Sequence, residues 1–111
     1  MTVDIRPFPR LGWDPLPYEG CVGVVGRVVV REEDFFVAQL RFSEHATIQE
    51  HLGENDTVVV CLKGEGLTSV AGEIELLREG PQVRWPQGIT HQLWTEDSTM
   101  TLLRAERTDS K

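Results

Sequence analysis

Gly80-Pro-Gln-Val-Arg-Trp-Pro-Gln-Gly-Ile-Thr-His-Gln-Leu-Trp-Thr95 is the stretch from which the rest of the chain can be read. Pro86 holds φ near −65° and Gly88 accepts a positive φ, so the two predict a tight turn. Thr90 to Thr95 then reads as a strand, with β-branched and aromatic residues around one histidine. On a strand His91, Leu93 and Thr95 share one face, and Gln92 and Trp94 the other. An imidazole therefore stands just inside a strand that begins at a rigid corner.

Working outward, Thr57-Val-Val-Val-Cys-Leu62 is the most strand-like segment of the chain. Val22 to Arg31 is β-branched and punctuated by Gly23 and Gly26, and Glu32 to Asp34 turns into Phe35 to Phe42. There Phe36, Ala38, Leu40 and Phe42 make an apolar face. Ser43-Glu-His45 reads as a connection to Ala46 to His51, and Leu52 to Asp56 as a polar turn. Lys63 to Gly66 has hairpin composition, and Leu67 to Val70 pairs with Glu73 to Leu77 around Ala71-Gly72. Arg78 to Pro81 turns again. Thr90 to Thr95 and Met100 to Ala105 close the pattern around Glu96 to Ser98. No segment has a helical period. Short strands with turn signals every eight to twelve residues predict an all-β fold, and an antiparallel jelly roll, or double-stranded β-helix, satisfies them.

A length of 111 residues predicts a single domain over 1–111, with the barrel spanning residues 22–105. Residues 1–20 carry Pro7, Pro9, Pro15 and Pro17 among Phe8, Trp13 and Tyr18. That density of proline permits only an edge strand or a wrapping arm, and the aromatics predict that the arm packs on the body or on a second subunit. The tail, 106–111, is polar and expected to fray. The net charge of −7 argues against nucleic acid and against an anionic membrane surface. The first residues have no signal-peptide pattern, and Cys21 and Cys61 lie in apolar surroundings without CxxC spacing. A cytoplasmic protein with two free thiols is expected.

The spacing of Gly80, Pro86, Gly88 and His91 resembles the second sequence motif of the cupins, with Thr95 where that family usually has Asn. Upstream, Ala46 to His51 is similar to the approach to the family's first motif, and Val58 to Gly66 to the strand and turn that close it. Fifteen residues separate Gly64 from Gly80, which suits a compact region between motifs. The resemblance runs over roughly residues 35 to 105 and implies a cupin of the RmlC-like kind. The first motif is degenerate: His51 matches its first histidine, but Gly53 stands at the second, Thr57 at the glutamate and His45 at the opening glycine.

In the family, three histidines and a carboxylate hold a divalent metal inside the barrel. The resemblance therefore implies a weak site for Fe, Mn, Ni or Zn on His51 and His91, completed by an acid from Glu50, Glu54 or Asp56. His51 and Gln49, with Thr47 on the same face of their strand, are expected to point inward, and His51, Gln49, Thr57, Cys61, His91 and Trp85 are the expected lining of a ligand pocket. Plainer roles compete: His91 and His51 as barrel histidines, Cys61 as a small core residue, Trp85 as core. Three functions follow. The first is a small-molecule-binding barrel with a weakly held metal. The second is a metal-dependent enzyme, a dioxygenase or an isomerase of a small acid or sugar. The third is an interaction protein, a homodimer in which the N-terminal arm lies on a neighbouring barrel.

Overall fold

The computed structural model describes residues 2–9, 11–16 and 19–109. All regular structure in it is strand: β1 Asp14–Pro15, β2 Cys21–Arg31, β3 Phe35–Leu52, β4 Thr57–Val70, β5 Glu73–Arg78, β6 Gln82–Trp85, β7 Thr90–Trp94 and β8 Met100–Arg107. Among the described residues no helix is long and apolar enough to cross a membrane.

Two long bent strands make the barrel. The first half of β3 pairs antiparallel with β8, Phe35 opposite Arg107 through Phe42 opposite Met100, and its second half pairs with β7. Likewise the first half of β4 pairs with β8 and β6, and its second half with β7 and β5. Each long strand thus crosses from one sheet to the other, and the two sheets close face to face as an antiparallel double-stranded β-helix.

The bends fall at the segments whose sequence signalled turns. Ser43-Glu-His45 is not a connection but the kink within β3, where His45 takes a φ of 56°. Lys63 to Gly66 is not a hairpin: β4 runs straight through, and Gly64, at a φ of 79°, bends it. A side chain on Gly64 would strike the Thr99 carbonyl, so this close approach needs glycine. Turn-like composition serves a sheet-to-sheet bend as well as it serves a chain reversal. By contrast Ala71-Gly72 is a two-residue hairpin loop, since Val70 pairs directly with Glu73 and both loop residues have positive φ. The short strand β6 carried too weak a pattern to be expected.

The kink at His45 is fastened by Thr95. Its hydroxyl donates to the Ser43 carbonyl at 2.6 Å and accepts from the Ala46 amide at 3.0 Å. Thr95 is buried, so both partners are satisfied where water cannot reach.

The core lies between the sheets, with Leu40, Val59, Leu77, Leu93, Met100 and Leu102 essentially sealed from solvent. Burying a side chain of this size is worth about 1.5–3 kcal/mol. The expected arm lies on its own barrel: Asp14–Pro15 adds a short edge strand to β2, and Trp13 lies beneath the guanidinium groups of Arg27 and Arg41, at 4.4 and 4.9 Å. Arg27 also donates from Nη1 to the Leu11 carbonyl at 2.9 Å. Pro17 and Tyr18 of that arm, and the last two residues of the tail, lie outside the described residues.

Candidate ligand-binding site

One end of the barrel opens into a cavity of about 440 Å³. His51 faces it because of a register shift. Up to Ile48 the inward residues of β3 are Ala46 and Ile48, and strict alternation would carry that phase to Glu50 and turn His51 outward. Between Ile48 and His51 the pairing with β7 shifts by one residue, so His51 comes directly opposite His91. The expectation that Thr47 shares the inward face with His51 is corrected on the same ground, since Thr47 lies one step out of phase with buried Ile48.

His91 is sandwiched. Its ring stacks on Trp85, with centroids 4.1 Å apart and planes 12° apart, and it meets His51 edge-on at 4.3 Å. Trp85 is locked in turn: Nε1–H donates to the Thr68 hydroxyl at 3.2 Å, and that hydroxyl donates to the Gln92 carbonyl at 2.9 Å. Gly53 closes the far side of the imidazole. A Cβ there would sit 3.0 Å from His91 Cε1, so glycine at the position of the family's second histidine makes room for this stack.

Burial pushes the His91 pKa down to about 4, and the neighbouring His51 works in the same direction, partly offset by the Ile89 carbonyl. His91 is therefore neutral at physiological pH, and its Nδ1 is buried without a hydrogen-bond partner. His51 is exposed on the cavity side, with Nδ1 2.9 Å from the Gln49 carbonyl. A carbonyl only accepts, so Nδ1 is the nitrogen that donates in this contact.

Gln49, Thr57 and Trp85 line the cavity with the two histidines. Thr57 is buried and donates to the Asn55 carbonyl at 3.1 Å, so its hydroxyl is already committed. Cys61 does not reach the cavity. It belongs to the core, its thiol donates to the Gly64 carbonyl at 3.3 Å, and burial pushes its pKa up.

Phe36, Arg104 and Glu106 are among the lining residues that the sequence reading does not place there. Met100 and Leu102 face the core, and alternation along β8 carries the same face to Arg104 and Glu106. That signal was available. For Glu106 the strand runs two residues past its expected end at Ala105. Thr57 pairs across the sheet with both Trp85 and Glu106, so a carboxylate does approach the position where the motif lacks one. It is not free for a metal: Glu106 accepts from Asn55 at 2.8 Å and lies 3.8 Å from Arg104.

The residues present do not fit a resident divalent metal. His51 and His91 offer two nitrogen donors, and among the described residues no three His, Cys, Asp or Glu side chains gather in a ligating arrangement. Glu50 and Glu54 line the cavity without joining such a group, and Asp56 is held by the Gln87 amide at 2.8 Å and lies 3.6 Å from Arg84.

No protein-family model and no curated protein matches the chain. Solved structures do. The polyketide cyclase RemF from Streptomyces resistomycificus superposes with a TM-score of 0.83 at 16% identity, over 96% of this chain and 80% of that one. An RmlC-like cupin from Shewanella frigidimarina gives a TM-score of 0.75 at 17% identity, over 86% of this chain and 82% of the other. The fold is the cupin fold. A cupin-2 domain from Rhodospirillum rubrum agrees, with a TM-score of 0.77 at 17% identity over 96% of this chain and 80% of the other. Identities this low establish the cupin architecture and leave the chemistry to this chain's own residues.

Proposed function

We propose that this cupin barrel binds a small organic molecule, which enters the open end and lies against the His51–His91–Trp85 stack. The cavity carries the reading. Its volume of about 440 Å³ suits a small ligand, and its wall combines aromatic surface with a few fixed polar groups. The stack is held by hydrogen bonds at Trp85 and His51, so the wall is formed before the ligand arrives.

A second reading, catalysis in the same cavity, is favoured by the His pair. His51 is the member of the pair suited to exchanging a proton with a bound molecule, since it lines the cavity with Nδ1 turned to the Gln49 carbonyl, while burial makes His91 too weak a base for that role. The polyketide cyclase is a neighbour whose own activity is consistent with this use of the barrel.

Both readings require occupancy. Saturation-transfer NMR with a library of small aromatic fragments tests it on the wild type and on Gln49→Trp, which puts a large side chain on the cavity wall. Fragments that bind the wild type and lose binding in the plugged, folded variant support the proposal. Binding indifferent to the plug would refute it.

A further inference from the structure

Arg104 is the one permanently cationic side chain lining the cavity among the described residues. It is largely buried, with 18% of its side chain exposed, and its Nε makes no hydrogen bond. The nearest carboxylate oxygen, Glu106 Oε1, is 3.8 Å away, beyond hydrogen-bond reach. Glu106 is itself held by Asn55 through its other oxygen. The Phe36 ring backs the guanidinium, 5.7 Å from Cζ. Arg104 is thus a planar set of donors on a strand beside an open cavity, with its buried Nε lacking a hydrogen-bond acceptor.

Leaving a buried guanidinium N–H without an acceptor is costly, and the group that meets the geometry of the fork is a pair of coplanar oxygens. We propose that Arg104 anchors the acidic group of the ligand, and that the ligand is a small organic monocarboxylate. Glu19, Glu50 and Glu54 also line the cavity, all of them exposed. Their charge opposes a ligand with more than one negative group, which selects a monoanion. His91, neutral in its buried place, adds no second cation. The inference rests on the occupancy reading above and adds to it the class of ligand.

Isothermal titration with acid–amide pairs of one shape tests it: benzoate against benzamide, and cinnamate against cinnamamide. In the wild type the acid is expected to bind about tenfold or more tighter than its amide. Arg104→Gln should bring acid and amide affinities to within about twofold of each other, and Arg104→Lys should keep part of the preference. Acid and amide binding equally to the wild type, both blocked by Gln49→Trp, would overturn the role of Arg104 and leave the cavity reading standing. No binding by any member would overturn both. The wild-type ratio decides even if Arg104→Gln fails to fold.

Discussion

His91 lies face to face with Trp85, 4.1 Å between centroids, and the pair forms the floor of the cavity. A cation would be poorly solvated there. The His91 pKa falls to about 4 in the folded protein, against about 6.5 when unfolded. Between those values the unfolded chain binds a proton that the folded chain does not. Stability from this residue is therefore complete above pH 6.5 and is lost as pH falls toward 4. The shift corresponds to at most about 3 kcal/mol, reduced by water in the cavity and by the response of His51 and Arg104. Urea midpoints between pH 7 and pH 4.5 should fall in the wild type and fall less in His91→Asn. Parallel pH profiles would contradict this.

Thr95 ties the β3 kink through its hydroxyl and through its amide, which donates to the Ala46 carbonyl at 2.9 Å, so Thr95→Val keeps the shape and that backbone bond and strips the two hydroxyl hydrogen bonds. The Ala46 amide loses a buried acceptor, and a destabilisation of about 1–3 kcal/mol is expected. Thermal or urea unfolding measures it. A neutral substitution would show that the kink is held by packing.

Ala71 is a non-glycine residue at a φ of 52° in a two-residue hairpin loop. Asparagine accepts that conformation more readily, so Ala71→Asn should stabilise by about 0.5 kcal/mol. The companion change Gly64→Ala, placed against the Thr99 carbonyl, should cost more than about 2 kcal/mol. Equal effects from the two substitutions would mean the bend at Gly64 is compliant.

These three sites mark what the sequence could convey. The turn at Pro86 and Gly88, the Ala71-Gly72 hairpin and the strand around His91 were legible because turn chemistry and period-two patterning are local. The kinks at His45 and Gly64 looked like chain reversals, because a glycine or a positive φ does not say whether the chain turns back or crosses between sheets. His51 was named as a pocket residue, but its orientation depends on a one-residue bulge against β7, which no local pattern displays. Glu106 lies on a strand that runs on to Arg107, past the expected end at Ala105, and Arg104 lies within the expected strand but on a face that alternation from Met100 and Leu102 alone marks as core.

Two imidazoles without a third ligand should hold a divalent ion weakly. Elemental analysis of the tag-free protein, by inductively coupled plasma mass spectrometry, should find Fe, Mn, Ni and Zn together well below one per chain. Gly53→His, which restores the missing motif histidine, should not raise that content, because the new side chain would enter the space that His91 occupies. Near-stoichiometric metal that disappears in His91→Ala would contradict this count of donors.

Chemical-shift mapping of the ¹⁵N-labelled protein during a benzoate titration tests the binding site most directly. The expected result is a saturable shift of the Trp85 indole N–H, the Gly53 amide and the His91 ring nitrogens, with the Trp13 indole unmoved. Shifts confined to Trp13 and the arm, or to the exposed Ile74 and Leu76 on β5, would place the ligand outside the barrel and contradict the proposed function.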